Sequence, residues 1–298
     1  MVREPVGAMP RDAVGAFGKM TRAIRFVVAA ASLIVLTPDS YRVAAQLQPS
    51  QAVNVRVESC FLLFELGVGE LRRNPSEACR TRVTPASTFK VPHAVAALDA
   101  GVVQGPDELM RFDGSGDWPE SARRGHTLAS AIRNSVVWYF QRVAQRLGAD
   151  REAAYLQRFA YGNMDSSSGL TTFWIGGSLR ITPEEQQAFW VKLYDGTLPV
   201  APSAVNAVRQ MLVQPAGVVV NAAGEQPFDG PWPADAVVSA KTGSATDRSG
   251  RGVRWLVGHV RRGTRSFVFV SCVTGPRELE PNAAIDLAAQ SLRDARIL

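Results

Sequence analysis

The stretch that decides the fold is 253–274, VRWLVGHVRRGTRSFVFVSCVT, near the carboxyl end of the chain. Residues 253–260 and 266–274 are rich in β-branched and aromatic side chains, and the link between them is polar and contains Gly263. Two such runs joined by a short glycine-containing link predict an antiparallel β-hairpin. A third run of the same character, 236–240, precedes them, so this end of the chain predicts three strands.

The amino-terminal part of the chain supplies further strands. Residues 60–66 (CFLLFEL) predict a strand, 67–69 (GVG) predict a turn, and the chain returns at Glu70-Leu71. Five later stretches have helical periodicity or helix end signals. They are 88–100, 128–147 with a break at Asn134-Ser135, a helix that starts at Thr182 with Glu185 completing a capping box, 203–213, and 282–298. The order predicts an α+β fold, with an antiparallel sheet from both chain ends and an inserted helical region.

The first 45 residues have the pattern of a secretory signal peptide. Arg22 and Arg25 precede the apolar run 26–36, and Val43-Ala44-Ala45 is a small-residue cleavage pattern. An apolar run of this length is short for a bilayer span, which favours a cleaved signal over the alternative of an uncleaved anchor. We therefore predict a signal peptide over 1–45 and one mature domain over 46–298, periplasmic and without a stable membrane anchor.

Export would permit disulfide bonds. Cys60 and Cys79 flank the predicted hairpin and could pair with each other, the alternative being two free thiols. Cys272 lies in an apolar strand and is predicted to be a core residue.

Composition limits the classes of function. The net charge is +6, but the arginines are spread along the chain, so a solvated basic surface is favoured over nucleic-acid binding. Only four of the 33 basic residues are lysines, and lysine can lose its proton when buried, whereas arginine cannot. The histidines, His93, His126 and His259, are far apart and lack metal-ligand spacing, so no metal site is predicted.

Ser87-Thr88-Phe89-Lys90 is the first motif with chemical content. A serine and a lysine three residues apart at the start of a helix lie on one face. A serine hydroxyl is a poor nucleophile until a base takes its proton, and a buried lysine can be that base if its pKa falls. Taken alone the motif is weak, since most Ser-x-x-Lys sequences are ordinary helix surface.

Two further motifs acquire meaning from their order. Ser135-Val136-Val137 falls at the predicted helix break, where a serine could pass protons between a nucleophile, a base and a leaving amine. Lys241-Thr242-Gly243 ends the predicted strand 236–240. Lys241 offers a cation and Thr242 a hydroxyl to a substrate carboxylate, and Gly243 would let a substrate lie against the strand edge.

Together these motifs resemble the class D (oxacillinase-type) serine β-lactamases over nearly the whole mature length. The segments that match the family are 85–90 (PASTFK), 134–141 (NSVVWYFQ), 161–163 (YGN), 173–174 (FW) with 179–181 (LRI), and 241–243 (KTG). Ser-x-x-Lys and Lys-Thr-Gly also occur in penicillin-binding proteins, whereas Ser-x-Val and Tyr-Gly-Asn are typical of class D. The resemblance implies a serine β-lactamase/penicillin-binding transpeptidase-like fold, with the active site between the sheet and the helical region.

The resemblance also implies roles for individual residues. Ser87 would attack the β-lactam carbonyl and be acylated, and Lys90 would be carbamylated (N6-carboxylysine) and act as general base. CO2 or bicarbonate would be needed for that modification, and no other cofactor is implied. Ser135 would shuttle protons, while Lys241 and Thr242 would hold the substrate carboxylate. The remaining implied residues shape or support the site: Phe89, Val137, Tyr161, Asn163, Trp174 as hydrogen-bond donor to the carbamate, Gly243, and Ser244, whose backbone N–H joins that of Ser87 in an oxyanion hole.

One departure from the family concerns the substrate carboxylate. Class D enzymes often carry an arginine shortly before the last helix, and the matching position here is near Asn282. Arg277, Arg248 and Arg251 are the candidates to replace it. The expected partners are β-lactam substrates, with the protein a monomer or homodimer. The alternative functions are a β-lactam sensor or a penicillin-binding domain that is acylated but turns over slowly.

Overall fold

The computed structural model describes residues 56–74 and 77–298. The predicted signal peptide, 1–45, and the predicted domain start at residue 46 lie outside the described residues. Within the described part of the chain, no helix combines the length and apolar character that crossing a membrane requires.

Strands and helices follow the predicted order. The strands of the described residues are β1 (Glu58–Glu65), β2 (Gly69–Arg73), β3 (Leu109–Met110), β4 (His126–Thr127), β5 (Val218–Asn221), β6 (Gly224–Pro227), β7 (Ala236–Thr246), β8 (Gly252–Arg262) and β9 (Arg265–Gly275). The α-helices are α1 (Lys90–Asp99), α2 (Leu128–Arg133), α3 (Val137–Leu147), α4 (Ala149–Phe159), α5 (Pro183–Asp195), α6 (Pro202–Met211) and α7 (Ala283–Asp294). Shorter 3-10 segments occupy Glu77–Arg80, Ala86–Phe89 and Glu120–Ala122.

The main sheet has the order β2-β1-β9-β8-β7, and its neighbouring strands are antiparallel. The two chain ends therefore build one sheet, as predicted. The β8–β9 hairpin is tighter than the sequence indicates, because Arg262 pairs with Arg265 and only two residues form the turn. Strand β7 is also longer than predicted. It runs to Thr246, so Lys241-Thr242-Gly243 lies inside a strand rather than at its end.

The two faces of the sheet pack against different helices. Val253, Trp255 and Val257 belong to the core shared with the helical region, whereas Leu256 and Val260 belong to a second core that includes α7. Side chains alternate between the faces of a strand. On β8 the odd-numbered residues from 253 to 257 therefore face the helical region, and the even-numbered ones face α7.

Local sequence signals explain where two of the helices begin and end. At the start of α5, Thr182 Oγ1 accepts from the Glu185 N–H at 3.0 Å, and the Glu185 carboxylate accepts from the Thr182 N–H at 2.9 Å. This is the predicted capping box. The predicted break in 128–147 separates α2 from α3 at residues 134–136. Helix α4 and the small β3–β4 and β5–β6 pairs were not predicted.

A disulfide bond joins Cys60 to Cys79. It ties β1 to the 3-10 segment that follows β2, so of the two alternatives that the sequence left open, the structure has the bonded one. Cys272 is a buried free thiol directly opposite Cys60 in the β1–β9 register, in agreement with its predicted place in the core.

Candidate active site

Ser87 and Lys90 lie where the chain enters the first helix. Residues Ala86–Phe89 form a 3-10 turn, and α1 begins at Lys90, two residues later than the sequence pattern indicates. In a 3-10 turn the side chains at i and i+3 eclipse each other. Lys90 Nζ accordingly lies 2.7 Å from Ser87 Oγ and donates a hydrogen bond to it. The predicted pairing of hydroxyl and amine is present in the structure.

The Lys90 amine is shielded from solvent. Its side chain is fully buried, and Nζ lies 5.8 Å from the centre of the Phe140 ring. Burial, and after it the positive charge of nearby Lys241, lowers the pKa of Lys90 well below its ordinary value. Lys90 is therefore biased toward the neutral amine, the form that accepts a proton or reacts with CO2. Phe140, whose ring lies near this amine, was not among the pocket residues expected from the sequence.

Ser135 and Lys241 meet from opposite sides of the cleft. Lys241 Nζ donates to Ser135 Oγ and to the Thr242 carbonyl, each at 3.0 Å. Ser135 has a φ of +57°, a left-handed conformation that a non-glycine residue adopts only when its surroundings hold it there. Burial lowers the pKa of Lys241 to about 7. Lys241 is also close enough to Lys90 for its charge to lower the Lys90 pKa. The three motifs that begin at Ser87, Ser135 and Lys241 therefore meet at one site.

Strand β7 offers a free backbone edge to this cleft. It is the last strand of the sheet, and the Ala240 N–H points away from β8 to the Leu212 carbonyl at 3.0 Å. The β7–β8 register continues unbroken to Thr246, so backbone direction repeats every second residue. The N–H of Ser244 therefore points outward as well. Thr242, Gly243 and Ser244 line the cavity described below.

Gly243 is needed for a reason other than the one that the sequence suggests. A Cβ at this position would lie 3.0 Å from both the Pro85 carbonyl oxygen and Thr88 Cγ2, and 3.2 Å from Trp255 Cδ1. The space that a side chain would take is thus filled by the turn that carries Ser87, not left for substrate. Glycine lets β7 lie directly against that turn.

Trp174 and Phe89 belong to a buried aromatic cluster next to Lys90, since Phe89 precedes Lys90 in the chain. The Phe89 ring lies 5.7 Å from Trp174, 5.2 Å from Phe173 and 5.6 Å from Tyr161, measured between ring centres. The Trp174 indole N–H is buried and has no hydrogen-bond partner among the described residues. A buried donor without an acceptor is costly, so an acceptor placed beside this N–H would be favourable.

Tyr161 supports the Ser87 turn through a chain of hydrogen bonds. Its hydroxyl donates to Gln186 Oε1 at 3.2 Å, and Gln186 Nε2 donates to Thr88 Oγ1 at 2.6 Å. Thr88 Oγ1 in turn donates to the Pro85 carbonyl at 2.7 Å. Burial raises the pKa of Tyr161, which keeps its hydroxyl protonated as a donor. The structure thus gives Tyr161 a supporting position away from Ser87.

Asn163 fastens the loop that carries Trp174. Its Nδ2 donates to the Ser178 carbonyl at 2.9 Å, and its Oδ1 accepts from the Arg180 N–H at 2.8 Å. The preceding Gly162 has a φ of +59°, and a Cβ there would lie 2.1 Å from the Arg180 carbonyl oxygen. The Tyr-Gly-Asn motif therefore clamps this loop and does not itself reach the cleft.

A cavity of about 330 Å³ opens beside Ser87 and reaches from the helical region to α7. Ser135, Val137 and the β7 residues named above form the part that the sequence predicted. The other lining residues come from loops, β5, β6, β8 and α7, and sequence reasoning named Asn134 and Asn282 among them and missed the others. The full set of these other lining residues is Trp118, Pro119, Ala122, Asn134, Asn221, Ala222, Ala223, Gln226, Trp255, Pro281, Asn282, Ala284 and Ile285. Across the cleft, Ser121 Oγ donates to the Ala222 carbonyl at 2.9 Å, so the 111–125 loop is tied to the β5–β6 hairpin.

None of the three arginines considered from the sequence lines this cavity. Arg251 is ion-paired with Glu58 and donates to Thr274 Oγ1 at 2.6 Å. Arg248 and Arg277 are exposed. Asn282 does line the cavity, where its side chain donates to Gln226 Oε1 at 3.0 Å.

The three histidines lie in different parts of the molecule. His93 is buried one turn after Lys90, with Nε2 2.5 Å from a Glu152 carboxylate oxygen and its ring against Phe89 and Trp174. His126 contacts Ser130 and Ser121, and His259 stacks on Tyr194. No group of metal-binding side chains occurs among residues 56–74 and 77–298.

Comparisons with known proteins agree with this arrangement. A family model described as the penicillin binding protein transpeptidase domain matches residues 34–294. The "Probable beta-lactamase YbxI" of Bacillus subtilis (strain 168) is 32% identical over 230 residues, 77% of this chain and 79% of the relative. "Beta-lactamase OXA-10" of Pseudomonas aeruginosa is 33% identical over 213 residues, 68% of this chain and 74% of the relative.

Solved structures give the same result. A class D β-lactamase from Bacillus subtilis superposes with a TM-score of 0.70 at 29% identity, covering 81% of this chain and 93% of that one. The fold is shared at 22% identity by FUS-1 (OXA-85) of Fusobacterium nucleatum subsp. polymorphum, with a TM-score of 0.72 over 81% of this chain and 94% of that one. The chain therefore belongs to the penicillin-binding transpeptidase family. Within that family it is a class D serine β-lactamase, as the sequence motifs indicate.

Proposed function

We propose that the protein hydrolyses β-lactams through a covalent acyl-enzyme on Ser87, with carbamylated Lys90 as general base. The observation that carries the proposal is the contact of Ser87 Oγ with the fully buried amine of Lys90, 2.7 Å away. A serine needs an adjacent base to act as a nucleophile at neutral pH. A buried lysine of lowered pKa is available in the right place.

The surroundings of Lys90 suit a carbamate. Burial favours the neutral amine, and only the neutral amine combines with CO2. Trp174 packs against Phe89 and His93, which flank Lys90 in the chain, and its indole N–H lacks an acceptor. A carbamate oxygen would supply that acceptor. When present, the carbamate supplies a carboxylate-like base in place of an amine.

The protein's own groups account for the other parts of the reaction. Ser87 Oγ would attack the lactam carbonyl carbon while its proton passes to the base, and the carbonyl–nitrogen bond would then break. Ser135, hydrogen-bonded to Lys241, is positioned to hand a proton to the departing nitrogen and to take in its place the proton that the base received from Ser87. A water molecule would hydrolyse the resulting Ser87 ester and return the serine with its proton.

Charge that develops on the carbonyl oxygen needs donors. The outward N–H of Ser244 on the free β7 edge, with the N–H of Ser87, would form the oxyanion hole, and one such donor contributes about 3–4 kcal/mol. Thr242 and the Lys241 ammonium would hold the substrate at the same edge. The rigid contact of β7 with the Ser87 turn at Gly243 would fix the spacing of these groups.

Intact-protein mass spectrometry during reaction with a chromogenic cephalosporin tests this proposal. We expect a transient adduct on the wild-type protein and on Ser249→Ala, a change at an exposed loop serine, and none on Ser87→Ala. Turnover by Ser87→Ala would contradict the acyl-enzyme route. An adduct equal to the enzyme concentration, with no hydrolysis after it, would instead favour the sensor or penicillin-binding alternative.

We also propose that the protein is exported to the periplasm and that residues 1–45 are removed on the way. The proposal rests on the charged, apolar and small-residue pattern of that segment. Amino-terminal sequencing of protein recovered from the periplasm should begin at Gln46. Recovery of the uncleaved chain in the membrane fraction would contradict this proposal. Gel filtration of the periplasmic protein would decide between monomer and homodimer.

A further inference from the structure

The cavity lacks a permanent cation at the position where the family resemblance places one. Asn282 is neutral, and its amide is engaged with Gln226. Burial lowers the pKa of Lys241 to about 7, so near neutral pH this amine is only partly charged. A second positive group at this end of the cavity would strengthen the hold on a substrate carboxylate that Thr242 and Lys241 provide.

We propose that Arg254 binds the substrate carboxylate and replaces the arginine that the resemblance places near Asn282. This inference rests on the proposed function, because it concerns how the same cavity holds a β-lactam. Arg254 lies on β8, a different element from the segment before α7, and sequence reasoning did not consider it.

The strand register puts Arg254 beside the cavity wall. Arg254 is the direct partner of Ser244 in the β7–β8 pairing. Side chains of directly opposed residues in an antiparallel pair lie on the same face. That face is the one directed at α7, as the alternation along β8 shows. Arg254 is not itself a lining residue, but it lies next to Ser244, which is one, and on the side from which Asn282 and Ile285 line the cavity.

The guanidinium is docked between the two segments that border this end of the cavity. One terminal nitrogen donates to the Leu279 carbonyl at 2.8 Å, three residues before Asn282. The other donates to the Val253 carbonyl at 3.1 Å and contacts the Ala245 carbonyl at 3.4 Å. These contacts fix the group in space while leaving its charge without a counter-ion.

Two other partly buried arginines have a carboxylate partner, whereas the exposed Arg248 and Arg277 have none among the described residues. Arg251 is paired with Glu58, and Arg180 lies 3.6 Å from an Asp247 oxygen. No carboxylate of the described residues lies within ion-pairing distance of Arg254. The group is half-buried, and a partly desolvated cation without an anion is unfavourable. An arginine keeps its charge in such a place, so its unmet requirement is an anion.

Paired substrates separate carboxylate binding from a structural role. A penicillin and its methyl ester differ only in the carboxylate, so the ratio of their kcat/KM values reports its recognition. We expect Arg254→Met to lower that acid-to-ester ratio about 10- to 150-fold, mainly through KM for the acid, since a hydrogen bond to a charged group contributes this much. Arg251→Ala should keep the wild-type ratio.

Two further variants keep the test decisive if Arg254→Met is unstable. If Arg254→Met melts before assay temperature, Arg254→Gln, which can still donate to the Leu279 carbonyl, should show the same loss of preference for the acid. Adding Asn282→Arg to Arg254→Met should restore part of the ratio, because it returns a cation to the same wall. Equal losses for acid and ester would overturn the inference and leave Arg254 a purely structural residue.

Failure of the inference and failure of the proposed function give different results. If the proposed function is wrong, the wild-type protein hydrolyses neither the penicillin nor its ester. If only the assignment of Arg254 is wrong, the wild-type protein hydrolyses the penicillin, and the Arg254 variants keep its acid-to-ester ratio.

Discussion

Replacing Lys241 by methionine should stabilise the protein most at low pH. Burial lowers the pKa of Lys241 from 10.5 to about 7, so the folded protein binds this proton less readily than the unfolded chain does. Below pH 7 both states are protonated, and the full penalty of burying the charge is present. Between pH 7 and 10.5 only the unfolded chain keeps the proton, so the wild-type free energy of unfolding rises with pH.

The size of the effect follows from the same pKa. Each pKa unit is worth about 1.4 kcal/mol, so the fall from 10.5 to about 7 corresponds to about 5 kcal/mol. Methionine also loses the hydrogen bonds to Ser135 Oγ and the Thr242 carbonyl, which contribute about 1 kcal/mol each. The variant should therefore be more stable by about 3 kcal/mol at pH 6, with little advantage left by pH 9.

Urea denaturation of both proteins across this pH range measures the difference. Bicarbonate-free, degassed buffers keep Lys90 as an amine in both. Lys192→Met is the matched control, because Lys192 is exposed on α5 and its replacement should give a difference that does not change with pH. A pH-independent difference for Lys241→Met as well would refute the argument that burial depresses the Lys241 pKa.

Three more substitutions test the roles of Trp174, Gly243 and Gly162. Trp174→Phe removes a buried indole N–H and should raise the bicarbonate concentration for half-carbamylation about 10- to 150-fold, as the loss of a charge-assisted hydrogen bond requires. Carbon-13 NMR of the labelled carbamate measures this, and Trp190→Phe, which removes another unpartnered indole N–H on α5, should have no effect. Gly243→Ala should push the Ser87 turn away from β7 and lower kcat about 100-fold, since a displacement of about 1 Å can cost that much; wild-type kinetics would contradict this. Gly162→Ala should lower the free energy of unfolding by at least about 2 kcal/mol more than Gly148→Ala, because both positions have positive φ but only the first meets a carbonyl oxygen. Equal losses in urea melts would rule out the clash as the cause.

Local signals in the sequence were sufficient for the strands of the main sheet and for the helices other than α4, but not for the two small strand pairs. Strands β8 and β9 are apolar runs on either side of a turn that contains glycine. Helix α5 begins at a capping box whose residues, Thr182 and Glu185, are recognisable from the sequence. The break before α3 was also predicted, at Asn134-Ser135, and in the structure Ser135 has a left-handed conformation there. The pairing of Ser87 with Lys90 followed from their spacing, although the turn that joins them is 3-10 rather than α-helical.

Features set by distant contacts could not be predicted. Strand β7 continues through Thr246 because β8 pairs with it there, and nothing in residues 241–246 alone requires a strand. His93 meets Glu152 only after α1 and α4 pack together, and α4 follows α3 too closely for the pattern to separate them. Arg254 escaped notice for the same reason, since its place beside the cavity depends on its register with Ser244.

Steady-state hydrolysis of a chromogenic cephalosporin in degassed buffer, with and without bicarbonate, tests whether Lys90 acts as a carbamate during turnover. We expect wild-type turnover to fall on degassing and to recover with bicarbonate, while Lys90→Ala shows at most slow acylation under both conditions. Wild-type turnover that ignores bicarbonate, or full turnover by Lys90→Ala, would contradict this role.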